Sequence, residues 1–376
     1  MDKPTSKYSI ATAPETNELF HNNAPVSIGI SGGKDSHACA FVVTDYLNAL
    51  GHSGPRLLIH SDLGRIEWRD SLPVAERIAK NLNMELVVVR RKAGDMIQRW
   101  ESRWEGNLKR YLELSCVKLI LPWSTPAMRF CTGEMKRDQI CKYLKSRYPG
   151  QSIISANGVR AEESKSRAKQ PVASIQAKLS NEKKGVIGWD WRPIHHWSTQ
   201  DVFSYLRSRC EVLHEAYTKY GCSRVSCSFC IMSSLRDLKA ATTCSENHET
   251  YRLITGLEIK STFSFHGNLW LSDIAPHLLS TEDQATVADA KMQARRRTEA
   301  EALIPKHMLF TAGWPSGIPT WEESRLLGQV RQIVCESIGV SPTFTRPEEI
   351  ILQYRELLER NHGDKLIKKQ KLAAAA

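Results

Sequence analysis

Residues 25–36 read PVSIGISGGKDS. The apolar half of this stretch, residues 25–30, predicts a buried β-strand, and the pattern after it predicts a helix over 36–49. The two consecutive glycines between them allow a tight turn whose backbone N–H groups can face an anion. The helix adds unpaired N–H groups and the positive end of its dipole at the same point. Segment 31–36 therefore predicts a phosphate-binding turn, although its spacing is not that of a Walker A loop.

The composition is typical of a soluble globular protein. Of the 376 residues, 41% are hydrophobic and 25% are charged, and no apolar run is long enough to cross a membrane. The start, Met1 to Pro4, is unlike a signal peptide, so we expect a cytoplasmic protein with no membrane partner. The 10 cysteines then favour thiol or metal chemistry over a disulfide framework. The formal net charge of +11 favours polyanionic partners such as nucleotides or nucleic acid.

Strand and helix patterns alternate after the phosphate-binding turn. This alternation is typical of βαβ units, so we predict an α/β fold in which a twisted parallel sheet carries helices on both faces. Ligands of such sheets bind at the carboxyl ends of the strands, where the turn lies. The predicted strands are 26–30, 56–61, 85–89 and 152–156, and the predicted helices between them are 36–49, 67–82, 94–104 and 133–147.

The rest of the chain divides by composition. Residues 1–24 are polar, and we expect an irregular N-terminal segment there. Residues 25–235 form the predicted α/β domain, which ends in loops rich in Arg, Trp, His and Cys. The pattern over 236–376 is mainly helical, so we predict a C-terminal helical appendage.

Two segments after the second and third strands carry reactive side chains. HSDLGRIE, at 60–67, ends the second predicted strand, and its Asp62 and Glu67 are candidates for binding a ribose, a base edge or a magnesium ion. RFCTGEMK places the thiol of Cys131 and the ammonium of Lys136 at the start of a predicted helix. These residue types suit nucleotide and sulfur chemistry.

Two later segments complete the pattern. GVRAEESKSR, at 158–167, sets two arginines around a carboxylate and a serine, an arrangement that suits a sulfate or phosphate group. PIHHWSTQDV, at 193–202, reads as a loop that enters a helix. Together with SGGKDS, these segments resemble the phosphoadenosine phosphosulfate (PAPS) reductase family and, more broadly, the PP-loop ATP pyrophosphatases with the adenine nucleotide alpha hydrolase-like fold. The resemblance covers about residues 25 to 235.

The resemblance implies ATP and magnesium as ligands and gives roles to individual residues. The turn would hold the nucleotide phosphates, and segment 160–167 would hold a sulfate or phosphate group. Catalytic roles are expected for Asp35, Lys136 and Arg160. The expected nucleotide-binding residues are Ser31, Gly32, Gly33, Lys34, Asp35, Ser36, Asp62, Glu67, Gly158, Arg160, Glu163, Ser164 and Arg167.

The chain departs from the dedicated sulfonucleotide reductases of that family. Their nucleophilic cysteine lies in a C-terminal Glu-Cys-Gly-Leu/Ile-His motif, which is absent here, since the last cysteine is Cys335 in the sequence VCE. A Cys-Cys pair is also absent, because Phe130 precedes Cys131. A single Cys-Thr with an intact SGGKDS is more similar to the DNA phosphorothioation sulfurtransferases. Those enzymes keep ATP pyrophosphatase activity and are associated with an iron–sulfur cluster.

Cysteine spacing predicts a metal site. Cys227 and Cys230 form a Cys-x-x-Cys pair, and Cys222 lies five residues before it. The family resemblance makes Cys131 the fourth ligand, and Cys244 is the alternative. Four thiolates suit a [4Fe–4S] cluster or Zn²⁺.

Three functions are consistent with these features. The leading hypothesis is an ATP pyrophosphatase that adenylates an acceptor for sulfur transfer, with DNA as the acceptor in phosphorothioate modification. The runner-up is a thiol-dependent reductase of PAPS or adenylylsulfate, and the third is a nucleotide-binding subunit without turnover. A sulfur-transfer role implies a cysteine desulfurase as sulfur donor and other subunits of a sulfur-modification complex.

Overall fold

The computed structural model describes residues 8–373, with side chains described for residues 8–361. Contacts divide the chain into two compact units. Unit 1 contains the chain up to Ile97 together with Ser124–Thr250, and unit 2 contains Gln98–Trp123 together with the chain from Tyr251 onward. The units differ from the predicted segments, because residues 98–123 group with the C-terminal part and the last boundary follows residue 250.

A six-stranded sheet forms the centre of unit 1. Its strands are β1 (Val26–Ile30), β2 (Arg56–Asp62), β3 (Leu86–Arg90), β4 (Ile154–Ala156), β5 (Ala173–Ile175) and β6 (Trp189–Trp191). They lie in the order β3-β2-β1-β4-β6-β5. All neighbours run parallel except β5, which is antiparallel to β6. The mostly parallel sheet confirms the predicted α/β fold class.

The two strands β5 and β6 were not predicted. Each has three residues, which is too short to show the alternation that marks a strand in a sequence. Arg192 follows β6 and holds this edge, since its guanidinium donates to the Ser174 hydroxyl at 3.1 Å and to the Pro171 carbonyl at 2.9 Å. The sheet therefore has an antiparallel edge in a segment that the sequence predicts as loops.

Helices connect and cover the strands. They are α1 (Pro14–His21), α2 (Lys34–Ala49), α3 (Ser71–Asn81), α4 (Met96–Leu112), α5 (Phe130–Thr132), α6 (Asp138–Arg147), α7 (Lys165–Ala168), α8 (Thr199–Ser208), α9 (Glu215–Thr218), α10 (Leu235–Thr242), α11 (His248–Ser261), α12 (Thr281–Ala302), α13 (Trp321–Ser337) and α14 (Pro347–Ala373). A π-helical turn, Gly133–Arg137, joins α5 to α6. None of the described helices combines the length and apolar character needed to cross a membrane.

The two faces of the sheet bury separate apolar clusters. Leu58 of β2 joins Ile28 of β1 in a cluster that α2, α3 and α8 complete. Its neighbours Leu57 and Ile59 belong to a second cluster with Leu144 of α6. Because successive side chains of a strand alternate between faces, helices cover both faces of the sheet, as predicted.

The N-terminal segment contains a helix where irregular chain was expected. Phe20 of α1 is 2% exposed, and its ring centroid lies 4.9 Å from that of Trp191. Two indole N–H groups hold the chain before α1, since Trp191 donates to the Ala11 carbonyl at 2.8 Å and Trp197 to the Ser9 carbonyl at 2.9 Å. The helix has few apolar residues, so its sequence shows little amphipathic pattern. The first seven residues of this segment lie outside the described part of the chain.

Unit 2 is helical, which confirms the predicted C-terminal helical region. Its α12 contains a buried ion pair, in which Arg297 donates to Glu301 at 2.8 Å. Arg297 also donates to the Thr262 hydroxyl at 2.9 Å, and Glu301 accepts from the Leu119 N–H at 3.1 Å. These added hydrogen bonds offset the cost of removing two charges from water.

Candidate phosphate-binding site and cysteine loop

The turn between β1 and α2 requires glycine at its first bend. Gly32 has a φ of +75°, a conformation that residues with a Cβ rarely adopt. A Cβ there would lie 3.0 Å from the backbone of Ser71 and 3.2 Å from the ring of His214. Burial lowers the pKa of His214 to about 4, so a neutral ring supports the turn. The turn is thus packed tightly against the start of α3 and against His214, the residue before α9.

Four backbone N–H groups of the turn have no acceptor among the described residues; they belong to Gly32, Gly33, Asp35 and Ser36. The other two are occupied, because the Ser31 N–H donates to Ser36 Oγ at 3.1 Å and the Lys34 N–H donates to the Tyr217 hydroxyl at 3.2 Å. The free groups lie at the N-terminal end of α2, where the helix dipole is positive. Together they form a site that suits phosphate oxygens.

Two serines have different roles in this turn. The buried Ser36 hydroxyl accepts from the Ser31 N–H and donates to the Gly33 carbonyl at 2.9 Å. It therefore fixes the shape of the turn. Ser31 is exposed, and its hydroxyl oxygen lies 3.3 Å from the Ser36 hydroxyl oxygen. The Ser31 hydroxyl is therefore open to a ligand.

Three charged side chains meet at the start of α2. Lys34, which is 4% exposed, donates to Asp35 Oδ2 at 3.0 Å. Arg160, which is 2% exposed, donates from Nε to Asp35 Oδ1 at 2.6 Å. The Lys34 ammonium also lies 5.7 Å from the ring centroids of Phe203 and Tyr217. Each oxygen of Asp35 therefore has a cationic partner in this structure.

Arg160 acts as a buried anchor in this structure. Its Nη1 donates to Glu162 at 2.8 Å and to the Trp197 carbonyl at 3.1 Å, and its Nη2 donates to the Thr199 hydroxyl at 3.1 Å. Burial lowers the pKa of Arg160, but the charges of Asp35 and Glu162 outweigh burial and raise it above the ordinary value. Protein groups therefore occupy the guanidinium of Arg160 in this structure, and its predicted roles in catalysis and in binding a sulfate or phosphate group stay predictions.

Gly158 allows the chain after β4 to touch the phosphate-binding turn. A Cβ at Gly158 would lie 2.6 Å from the carbonyl atoms of Asp35 and 2.8 Å from the nitrogen of Ser36. The strand order reverses between β1 and β4, and such switch points are where open α/β sheets bind ligands. The structure thus brings the predicted segments 31–36 and 158–167 together at the position expected for a nucleotide.

Three other predicted binding residues cap local structure after Gly158. Glu163 accepts from the backbone N–H of Arg160 at 2.9 Å and forms an ion pair with Arg167. Ser164 is the N-cap of α7 and accepts from the Arg167 N–H at 3.2 Å. Glu163, Ser164 and Arg167 therefore lie next to the site, where their side chains contact one another and the backbone of Arg160.

Asp62 and Glu67 lie near the carboxyl end of β2, as predicted, and each has a protein partner. Asp62 accepts from the Gly64 N–H at 2.6 Å and from Arg90 Nε at 2.9 Å. Glu67 accepts from His60 Nε2 at 3.1 Å. Burial lowers the pKa of His60, but the hydrogen bond and charge of Glu67 outweigh burial and raise it above the ordinary value. Their predicted roles toward ribose, base or metal stay predictions.

Three of the four predicted metal ligands share one neighbourhood. Burial raises the pKa of the Cys227 thiol, and the nearby Cys230 and Cys131 raise it further, whereas the ammonium of Lys136 lowers it. Lys136, a predicted catalytic residue, therefore lies beside the cysteines. A cation bound here would relieve the repulsion between thiolates, so this part of the donor set fits a thiolate-bound metal.

The fourth predicted ligand, Cys222, lies near the alternative ligand Cys244. Burial raises the pKa of Cys222 to about 11, and the charges of Asp237 and Cys244 contribute to this rise. Among the described residues, one set of three metal-binding side chains has all its ligand atoms within 4.8 Å: Glu215, Cys244 and Glu246. The four predicted thiols are therefore not closed around one point in this structure, and the ligand set stays a prediction.

Tyr217 belongs to this site and was not predicted. Its hydroxyl accepts from the N–H of Lys34 at 3.2 Å and from the N–H of Val225 at 3.1 Å. The residue lies on the four-residue helix α9, outside every sequence motif, so no spacing reveals it. It connects the phosphate-binding turn to residues 222–230, which we call the cysteine loop.

Comparison with solved structures gave weak similarities. A phosphoadenylyl-sulfate (PAPS) reductase from Candida auris, in a phosphate complex, is 12% identical with a TM-score of 0.35, and the match covers 58% of this chain and 97% of that chain. The U34-tRNA thiolase NcsA from Methanococcus maripaludis, with its [4Fe-4S] cluster, is 18% identical with a TM-score of 0.34, and the match covers 64% of this chain and 73% of that chain. A search of curated proteins found no match.

Comparison with family models gave an extended match. The model of the phosphoadenosine phosphosulfate reductase domain matches residues 25–233. The matched range begins at β1 and includes the phosphate-binding turn, Gly158 and the cysteine loop. Because this match spans more than half of the sequence, the chain belongs to the phosphoadenosine phosphosulfate reductase domain family.

Proposed function

We propose that this chain is an ATP pyrophosphatase that activates an acceptor for sulfur transfer. The observation that carries the proposal is the set of four free backbone N–H groups in segment 31–36, at the switch point between β1 and β4. A row of N–H groups at a helix N-terminus suits the β- and γ-phosphates of a nucleotide. With those phosphates held, the α-phosphate is the position at which an acceptor can attack.

The proposed reaction has two steps. An acceptor oxygen attacks the α-phosphorus of ATP, the bond from that phosphorus to the bridging oxygen of the β-phosphate breaks, and pyrophosphate leaves with the electron pair. A sulfur nucleophile then attacks the activated centre of the acceptor, and AMP leaves. Donors that bind the charge on departing pyrophosphate lower the barrier of the first step.

The residues of this chain supply binding and orientation. The N–H groups of the turn and the Ser31 hydroxyl are placed to hold phosphate oxygens. Arg160 and Lys34 fix the Asp35 carboxylate and hence the first turn of α2. Magnesium, bound with the nucleotide, would neutralise further phosphate charge. Asp35, Asp62 and Glu67 are the candidate carboxylates for holding it, and each has a protein partner in this structure.

The cysteine loop supports sulfur chemistry in this proposal. Cys222, Cys227 and Cys230, completed by Cys131 or alternatively by Cys244, would hold a [4Fe–4S] cluster or Zn²⁺. A bound iron–sulfur cluster would supply redox chemistry, whereas zinc would supply structural support. Lys136 beside Cys227 would favour the thiolate form of these ligands, since its charge lowers the pKa of that thiol.

We propose DNA as the acceptor, with one of its phosphate oxygens adenylated and replaced by sulfur. The formal net charge of +11 supports a polyanionic partner. A cysteine desulfurase would supply the sulfur as a persulfide, a thiol reductant would cleave the S–S bond that its attack leaves on the phosphate, and other subunits would choose the site on DNA. The proposed location is the cytoplasm.

Sulfonucleotide reduction is the second candidate, favoured by the family to which the chain belongs. That reaction needs a reactive cysteine to attack sulfur. The last cysteine, Cys335, is fully buried within α13, so it does not supply an accessible nucleophile. A nucleotide-binding subunit without turnover is the third candidate.

Product analysis separates the three candidates. Full-length protein is incubated with Mg²⁺ and either ATP or PAPS, and nucleotides, pyrophosphate and sulfite are quantified. We expect AMP and pyrophosphate from ATP, and we expect Asp35→Ala to abolish their release while Asp45→Ala, on the same helix but paired with Arg209, keeps it. Sulfite released from PAPS would favour the reductase. Release of ADP from ATP would contradict cleavage at the α-phosphate. ATP that stays bound and unchanged in the presence of DNA and a sulfur donor would favour the non-catalytic subunit.

A further inference from the structure

We propose that Tyr217 positions the phosphate-binding turn and couples it to the cysteine loop, so that anion binding at the turn and the conformation of residues 222–230 depend on each other. The inference rests on the proposed function, because it requires a nucleotide at the turn. The observation behind it is that a single phenol oxygen accepts hydrogen bonds from the backbone of both segments.

The Tyr217 hydroxyl is a fixed point in unit 1. Both of its acceptor positions are used by backbone N–H groups, and burial raises the pKa of the phenol so that it stays neutral. The helix that carries it is anchored before its first turn, where His214 Nδ1 accepts from the Ala216 N–H at 3.0 Å. The Glu215 N–H donates to Asp70 at 3.0 Å in the same place. The Tyr217 hydroxyl is therefore held in place, and a shift of Lys34 or Val225 changes its hydrogen bond to that oxygen.

Val225 also lies close to the turn. A Cβ added at Gly33 would lie 3.4 Å from the Val225 carbonyl oxygen and 3.6 Å from the Val225 Cβ, so Val225 faces Gly33 across the space that a side chain there would fill. The N–H of Gly33 is one of the four free groups of the anion site. Movement of Val225 therefore alters the space around a group that we expect to bind phosphate.

The cysteine loop is anchored on both sides of Val225. The Ser223 N–H and hydroxyl donate to Asp237 at 2.7 and 2.8 Å. The Ser228 N–H and hydroxyl donate to the Ile66 carbonyl at 2.8 and 2.9 Å. Val225 lies between these anchors and two residues before Cys227, so its hydrogen bond to Tyr217 restrains the middle of the loop next to the predicted ligands.

Coupling follows from this shared hydrogen-bond acceptor. A ligand that draws the turn into one conformation fixes Gly33 and Lys34, and thereby favours the position of Val225 that keeps both hydrogen bonds to Tyr217. A change at the cysteines that displaces Val225 opposes the same conformation of the turn. Such coupling is reciprocal, and typical couplings change an equilibrium by about 5- to 150-fold.

Hydrogen–deuterium exchange tests the coupling on the full-length protein as purified. Exchange in peptides covering 222–230 is measured with and without saturating Mg-ATP, and Mg-ATP binding is measured by calorimetry. We expect Mg-ATP to slow exchange there by about 5-fold or more in the wild type. Tyr217→Phe should bind Mg-ATP more weakly and, at saturating Mg-ATP, lose this slowing, because the shared oxygen is gone. A purely structural role would change exchange equally with and without nucleotide.

Tyr205→Phe is the matched control, since its hydroxyl donates to Asp45 at 3.3 Å and bonds neither segment; it should keep the full slowing. Val225→Gly, which removes the side chain that faces Gly33 and frees the backbone at residue 225, should reduce the slowing even if Tyr217→Phe does not fold. The coupling alone is overturned by either of two results. One is equal slowing of exchange over 222–230 in the wild type, Tyr217→Phe and Val225→Gly, and the other is Mg-ATP binding without slowed exchange in the wild type. Absence of Mg-ATP binding in the wild type overturns the coupling and the proposed function together.

Discussion

Asp35 organises a site whose anion-binding groups are mostly backbone. Its two oxygens hold the buried side chains of Lys34 and Arg160. A buried cation without its partner typically costs about 3–5 kcal/mol, so the carboxylate is needed to keep both cations in place. Because these charges are already paired, the attraction for phosphate comes mainly from N–H groups and the dipole of α2. The side chains therefore fix the shape of the turn, and the backbone N–H groups provide most of its affinity for phosphate.

At the residue scale, Gly158→Ala tests the close approach of the two predicted binding segments. The added Cβ would lie 2.6 Å from the Asp35 carbonyl atoms, so the backbone must shift. We expect a loss of about 1–3 kcal/mol in the free energy of unfolding and a fall of about 100-fold in ATP cleavage, the effect of displacing a reacting group by about an ångström. Gly106→Ala is the control, because a Cβ there meets nothing within 4 Å. Equal behaviour of the two variants in thermal unfolding and pyrophosphate release would contradict the close approach.

At the element scale, long strands and motif-bearing turns could be predicted, whereas tertiary contacts could not. The predicted strand 26–30 matches β1, and the turn after it is in place, because apolar runs and paired glycines act locally. β5 and β6 are held by neighbours far along the chain, so their three residues carry no pattern of their own. The sequence did not predict that Asp35, Glu162 and Thr199 would contact the guanidinium of Arg160, whose catalytic and binding roles stay predictions. Sequence spacing shows which residue types are near, but not which of them pair.

The cysteine loop carries the prediction at this scale. If Cys227 ligates a metal, Cys227→Ser should lower metal affinity by about 100-fold or more, beyond the 10–100-fold typical of losing an outer hydrogen-bond partner. The melting temperature should fall as well, since metal binding stabilises the fold. Iron and zinc contents of anaerobically purified protein, with its visible absorption, identify the metal.

Cys210→Ser is the control for this variant, because Cys210 is exposed and lies outside the loop. Comparing Cys131→Ser with Cys244→Ser identifies the fourth ligand, since only the true ligand should match Cys227→Ser in metal loss. Wild-type protein that is fully stable and free of metal would show that the cysteines are ordinary buried thiols.

At the scale of the whole molecule, the formal net charge of +11 is the feature that bears on a polyanionic partner. Arg160 is 2% exposed, so it cannot contact DNA in this conformation. Exposed lysines occur on α6 and on the turn Glu182–Lys184. Lys178, which precedes this turn, forms an ion pair with Asp138 of α6 at 2.6 Å. We take Lys142, Lys145, Lys183 and Lys184 together as the candidate basic surface of unit 1.

If DNA is the acceptor, this basic surface should contribute to its binding. Each lysine that neutralises a phosphate releases counterions, so affinity for duplex DNA should fall steeply between about 50 and 200 mM salt, with little dependence on sequence. Replacing Lys183 and Lys184 with alanine should reduce the slope of log affinity against log salt by about 1.8, because each phosphate that is no longer neutralised accounts for about 0.9. The double variant of Lys80 and Lys92, which are exposed elsewhere in unit 1, should keep the wild-type slope. Equal reductions of the slope in the two double variants would indicate diffuse attraction by net charge. Undetectable DNA binding at about 50 mM salt, together with tight binding of PAPS, would favour the reductase assignment, because a small sulfonucleotide needs no basic surface outside the cleft.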